Sequence, residues 1–199
     1  MADIRPGATG SLPSLLTPFN GKLFFVANDG TNGVELWSSD GSAGGTAMLK
    51  DIYSGSSSGS PGNLRVVSIG GNSRLVFSAN NGVNVNEVFT SDGTASGTVL
   101  LADIVPSGSS SNAPGEFTSF NSKMYFAGTN GADGRELFTS DGTQGGTYMS
   151  VDLYPGTCSI GMGMFMPCDG NPSSLTVYNN KLYLRAGSPS NGVELWQCA

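Results

Sequence analysis

Glu35-Leu36-Trp37-Ser38-Ser39-Asp40-Gly41-Ser42-Ala43-Gly44-Gly45-Thr46 decides the fold, because the chain keeps returning to it. Glu87-Val88-Phe89 and Glu136-Leu137-Phe138 repeat its head, and Ser91-Asp92-Gly93 and Ser140-Asp141-Gly142 repeat its Ser39-Asp40-Gly41. Glu194-Leu195-Trp196 repeats the head a fourth time. The Glu-to-Glu steps are 52, 49 and 58 residues. Self-similarity at that period indicates stacked supersecondary units. A repeated position then maintains the unit, and a residue that breaks the repeat is the better functional candidate.

Outward from the motif, the first unit reads as strands and turns. Residues 12–19 begin apolar after a proline, and Asn20-Gly21 is a two-residue hairpin signal. Residues 22–27 form a second strand, 28–33 a turn, 34–37 a third strand, and 46–52 a fourth. That is a four-stranded antiparallel meander. With Ala27 opposite Val34, Lys22, Phe24 and Val26 share a face with Glu35 and Trp37, while Leu23, Phe25, Leu36 and Ser38 share the other. Both faces are largely apolar, as packing between two neighbours demands. Spacing inside the unit is rigid: Lys22, Arg74, Lys123 and Lys181 each precede their Glu by 13 residues. Length varies at the first turn of the second unit (69–72) and in the exit loop of the third (155–170).

The fourth unit stops after Trp196-Gln197-Cys198-Ala199, before a fourth strand. The opening Asp3-Ile4 matches Asp51-Ile52 at a fourth-strand end. The expectation is an all-β, four-bladed β-propeller of four-stranded antiparallel blades, one domain over 1–199, with the last blade closed by the N-terminal strand. The blades span about 12–52, 62–104, 115–153, and 173–198 plus 1–5. Closure would remove exposed strand edges. An open stack or a two-sheet sandwich is the alternative.

The pattern Glu-Leu-Trp-x-x-Asp-Gly-Ser/Thr-x-x-Gly-Thr, from Glu35 to Thr46, resembles the ELWxxDGT repeat family. Residues 87–98 and 136–147 match with Phe in place of Trp, and Asp3 to Gly7 fits the family's Asp-Ile-x-Pro-Gly tail. The resemblance implies a propeller-like fold in a secreted or surface protein, and it implies no particular reaction.

Composition narrows function. Net charge is −6 with no Lys/Arg cluster, so nucleic acid is a poor partner. No apolar run reaches the ~18 residues of a membrane span, and no signal-peptide core opens the chain. There is no histidine, which excludes His triads and His-ligated metals. Phosphate-binding loops and a nucleophile elbow are absent too. The expectation is that the chain is not an enzyme and carries no cofactor. Asp29 and Asp133 are the only acids a paired-carboxylate hydrolase could use here.

Three sets of residues remain. The repeated Glu and the Ser-Asp-Gly strings read as structural: the Glu as a buried acceptor, the Asp as a turn former. The loops bearing Asn28, Asp29, Asn32, Asn81, Asn84, Asn130, Asp133 and Asn191 suit glycan hydroxyls or Ca²⁺, and equally suit ordinary turns. The repeat-breaking loop carries Ile160, Met162, Met164, Phe165 and Met166, between Cys158 and Cys168, which are placed to pair. Met-rich apolar loops are adaptable contact sites; folding over the ring as a plug and copper(I) binding are the alternatives. A disulfide would indicate an oxidising compartment. The functional expectation is a protein-binding, scaffold-type subunit of a larger assembly, secreted or at the cell surface. The alternative is a glycan-binding propeller, with Ca²⁺ as an optional ligand.

Overall fold

The computed structural model describes residues 2–83, 86–105, 113–161 and 164–198. Among them there is no helix, and no segment forms a helix long and apolar enough to cross a membrane. The chain is a series of antiparallel sheets. Sheet 1 contains β1 (Ser14–Phe19), β2 (Lys22–Asn28), β3 (Val34–Ser39) and β4 (Ala47–Lys50). Sheet 2 contains β5 (Gly62–Ile69), β6 (Asn72–Ala79), β7 (Glu87–Ser91) and β8 (Val99–Ala102). Sheet 3 contains β9 (Gly115–Phe120), β10 (Lys123–Thr129), β11 (Arg135–Ser140) and β12 (Thr147–Val151). A separate hairpin, β13 (Thr157–Gly161) and β14 (Met164–Pro167), precedes sheet 4. Sheet 4 contains β15 (Ser173–Tyr178), β16 (Lys181–Ser188) and β17 (Gly192–Cys198).

The meander is as expected, but its register is shifted by one residue. Ala27 pairs with Glu35 and Phe25 with Trp37. The front face of sheet 1 therefore carries Leu23, Phe25, Ala27 and Trp37, and its rear face Phe24, Val26, Leu36 and Ser38. A one-residue slip exchanges every side chain between faces, and both faces here are apolar, so the hydrophobic pattern could not discriminate. The longer first turn of unit two is also no longer turn: Ile69 pairs with Asn72, so the insertion extends the hairpin around Gly70-Gly71.

Each sheet packs its front face on the rear face of the sheet before it. Phe24, Leu36 and Ile52 meet Leu75, Phe77, Ala79 and Phe89 in one buried cluster. Val76, Val88 and Leu101 meet Met124, Phe126 and Phe138 in the next. Leu137 and Leu153 meet Leu182, Leu184 and Ala186 in the third. Phe77 and Phe89 stack at 5.8 Å and Phe126 and Phe138 at 5.5 Å, both directly opposed cross-strand pairs. The innermost strands β1, β5, β9 and β15 lie side by side in that order.

The expected closure is absent. Among the described residues sheet 4 has three strands, and residues 2–10 belong to none. They run instead like an inter-sheet connector. Ile4 covers Phe25, Ala27 and Trp37 on the front of sheet 1, as Ile52 covers the front of sheet 2. The Asn28 amide donates to Ser11 O at 2.9 Å, as the Asn80 amide donates to Gly59 O at 2.9 Å. No buried cluster among the described residues joins sheet 4 to sheet 1. The outer face of sheet 4 stays open, with Leu195 75% exposed, whereas on the front of sheet 1 Ile4, Leu23 and Met48 keep Phe25, Ala27 and Trp37 buried.

Candidate functional site

The two ends of the sheets differ in chemistry. At one end lie the Ser-Asp-Gly turns, and their polar atoms are satisfied locally. Asp40 Oδ1 accepts from the Ser42 amide at 2.9 Å and its hydroxyl at 2.7 Å, and Ser39 Oγ bonds Thr46 Oγ1 at 2.7 Å. The same bonds recur around Asp92 and Asp141. These bonds hold all three carboxylates below the usual range. A Cβ on Gly45, Gly97 or Gly146 would overlap that carboxylate, so only glycine fits. These motifs are structural, as the repeat suggested.

At the other end, each repeated Glu ties down the connector that leaves its sheet. Glu35 accepts the Ile52 amide at 2.9 Å and the Gly59 amide at 2.6 Å. Glu136 accepts the Leu153 and Gly170 amides, both at 2.7 Å. Glu87 accepts the Ile104 amide at 2.7 Å. Burial pushes all three up to about 7, against the pull of those amides. Glu194, in the last unit, is exposed.

The polar loops at this end close on themselves. Asp29 takes the Thr31 and Asn32 amides at 2.8 and 2.7 Å and the Asn32 side chain at 2.7 Å. Burial is the largest single influence and raises its pKa, but those hydrogen bonds together outweigh it, leaving the acid below its ordinary value. Asn28 caps Gly30, and Asn81 caps Val83. Asn130 takes the Ala132 and Asp133 amides and donates to Asp133 Oδ2 at 2.7 Å. Asn191 donates its amide to Ser188 Oγ at 3.3 Å. Asn84 lies outside the described residues. Among the described residues no three acidic or Cys side chains gather to hold a metal. Asp29 and Asp133 belong to turns of non-adjacent sheets, and nothing brings them together.

The repeat-breaking segment is a hairpin, not an open loop. Cys158 and Cys168 are disulfide-bonded with their Cα atoms 5.1 Å apart. Cys158 pairs with Met166 and Ser159 with Phe165 across the strands. The Met166 side chain is 55% exposed. Met162 and the side chains of Ile160, Met164 and Phe165 lie outside the described residues. The root is anchored firmly. The Cys168 amide donates to Gly156 O at 3.1 Å, the Arg135 amide to Asp169 Oδ1 at 2.6 Å, and the Gly187 amide to Gly170 O at 2.7 Å. The hairpin therefore rises from the loop end, between sheets 3 and 4.

Beside that root lies a cavity of ≈ 240 Å³ lined by Tyr154, Asp169, Asn171, Arg185, Ser188 and Val193. Arg135 stands at the root too, donating Nη1 to Ala113 O at 3.0 Å. Burial pushes its pKa down, and the Glu116 and Asp169 carboxylates push it back. Sequence reasoning missed these groups, although a signal existed. Arg135 stands where the other units have Val34, Asn86 and Val193, and Arg185 where they have Val26, Ser78 and Ala127.

No family model matches the chain, and no curated protein matches it. Two solved structures do. A puromycin hydrolase complexed with PGG is similar over 94% of this chain and 26% of its own, at 15% identity and a TM-score of 0.54. An endo-arabinase from Bacteroides thetaiotaomicron is similar over 93% of this chain and 72% of its own, at 16% identity and a TM-score of 0.36. This chain thus spans about a quarter of the hydrolase, and what the two share is a fold. The hydrolase corrects one expectation. Its polypeptide contains this arrangement of sheets in an enzyme, so the exclusion of catalysis drawn from the missing motifs does not stand.

Proposed function

We propose that this chain is a propeller-type binding module of the ELWxxDGT-repeat kind, which engages a protein partner through the hairpin at 157–167. It would serve as an accessory subunit of a larger assembly, secreted or at the cell surface. The observation that carries this reading is the hairpin itself. Among the described residues it is inserted in one connector only; it is locked by Cys158–Cys168 and presents Met166 to solvent above a rigid root. A preorganised, solvent-facing apolar element lowers the entropy lost on binding. The disulfide agrees with an oxidising compartment. The glycan and Ca²⁺ reading has less support, because the Asn and Asp oxygens of the loops are spent on their own turns.

Photo-crosslinking tests it. A photoreactive side chain is placed at Met166 and, as a control, at Thr31, in the protein as made by its native source. A discrete protein adduct at 166, absent at 31 and lost in Cys158→Ser, supports the reading. No adduct at 166, or the same adduct at both positions, overturns it.

A further inference from the structure

The outer face of sheet 4 is the exposed half of an interface that the chain builds three times, and the front of sheet 1 carries the other half, which Ile4 covers only in part. On the rear faces, Leu36, Val88 and Leu137 are 0% exposed, but Leu195 at the same position is 75% exposed. Phe19, Val67 and Phe120, opposite the basic residue that precedes each Glu by 13 positions, are 5%, 4% and 5% exposed; Tyr178, opposite Lys181, is 65% exposed. The front face of sheet 1 shows the converse. Gly93 in the turn of sheet 2 meets the rings of Phe19 and Phe24, and Gly142 in sheet 3 meets Ile69, while Gly41 in sheet 1 meets nothing. Next to Gly41 an apolar cavity of ≈ 220 Å³ opens between Ile4, Leu16, Leu23 and Phe25.

The polar atoms tell the same story. Glu35, Glu87 and Glu136 each bind the amide 17 residues further on, at Ile52, Ile104 and Leu153. Residues 4–12 lie on sheet 1 as 52–60 lie on sheet 2. Arg5 crowds Gly30 as Tyr53 crowds Gly82, and Leu12 and Ser60 share φ values of 50° and 46°. Ile4 and Ser11 are therefore the counterparts of Ile52 and Gly59. Among the described residues no carboxylate takes their amides, and Glu194 takes none.

We propose that a second copy of this chain docks head to tail on the first, the rear face of sheet 4 against the front face of sheet 1. Glu194 of one copy accepts the Ile4 and Ser11 amides of the other. Tyr178 covers Gly41 and the cavity beside it, and Asn179 reaches the Asp40 carbonyl, as Asn20 reaches the Asp92 carbonyl at 3.3 Å. The occupant is a second copy because the exposed face of sheet 4 and the partly covered front of sheet 1 are the two complementary halves of one interface, both carried by this chain. A head-to-tail contact closes into a ring when its rotation allows. Two copies supply eight sheets, within the ~4–8 blades that propellers use, and three copies exceed it. The inference is independent of the hairpin reading.

The test is the mass of the 199-residue chain in solution, by light scattering from sub-micromolar to about 100 µM. The expected species is a dimer. Leu195→Asp, at an exposed position, raises its dissociation midpoint by at least about tenfold without loss of fold. A second measurement fixes the register. Leu36 pairs with Lys50, so Leu195 should pair with Ala2 of the other copy. In a Cys198→Ser background, Ala2→Cys with Leu195→Cys should oxidise to a covalent dimer. A monomer at all concentrations, a disulfide between the two introduced thiols of a single chain, or a dimer indifferent to Leu195→Asp would each overturn the proposal.

Discussion

Glu35 and Glu194 hold the same position in the first and last copies of one motif, and their surroundings are opposite. Glu35 is buried and receives the Ile52 and Gly59 amides, whereas Glu194 stands in solvent. The same holds for Leu36 and Leu195, and for Phe19 and Tyr178. The motif writes an interface into every unit, but a unit can bury its interface only if a neighbour arrives. In a stacked architecture stability comes from the units and from their contacts, so identical residues contribute according to position along the stack.

Mutations at paired positions measure that difference. The largest effect is expected from Glu35→Ala, which strands two buried amides; at ~1–3 kcal/mol for each, unfolding free energy falls by roughly 2–6 kcal/mol. Glu194→Ala in dilute protein should change it by no more than ~0.5 kcal/mol. Equal losses in denaturant titrations would show that the two Glu environments are alike. Next, Leu36→Ala should cost about 2–5 kcal/mol through the cavity it leaves. Leu195→Ala in dilute protein should fall within ~0.5 kcal/mol, read from the same titrations.

A smaller effect is expected at the hairpin. Closing a loop of this length is worth at most about 3 kcal/mol, and the root keeps its own bonds to sheets 3 and 4. Cys158→Ser with Cys168→Ser should speed amide exchange over 157–167 and leave sheets 1 and 2 unchanged. Spreading of that exchange into sheet 1 would mean that the hairpin braces the whole stack.

The smallest effect is on pH dependence. Glu35, Glu87 and Glu136 sit at about 7 when folded, above the ordinary glutamate value of 4.5. The folded protein therefore holds protons that the unfolded chain has released. Stability from this source is full below about 4.5 and is lost as pH rises through about 7. Thermal midpoints should be higher at about pH 5.5 than at about pH 8, and Glu87→Gln should flatten the slope. In dilute protein Glu194→Gln should leave it as it is; a flattening there would show that Glu194 is buried within a single chain too.

Much of this was legible in the residues. The Glu period located the units, Asn20-Gly21 and the Asp40-Gly41 turn bounded the strands, and the broken repeat at 155–170 marked the insertion and its disulfide. Other features were hidden for identifiable reasons. The register slipped because two apolar faces look alike in a pattern of period two. The strands inside 157–167 escaped because they are only five and four residues long, and the second ends in proline. Arg135 and Arg185 were not legible as a pair because each is a single charge outside the motifs that the units share, and only folding brings both to the root of the hairpin.

The residues alone determined that the chain repeats, that each repeat is a meander, and that glutamate and Ser-Asp-Gly hold it together. These are local matters, written in turn chemistry and in spacings inside a single unit. Tertiary structure alone decided whether the stack closes. Asp3-Ile4 resembles a fourth-strand end closely enough to predict a shared last sheet, yet it runs as a connector across sheet 1 and leaves β17 with a bare edge. The angle between successive sheets accumulates over the whole molecule, and no short string of residues encodes that sum.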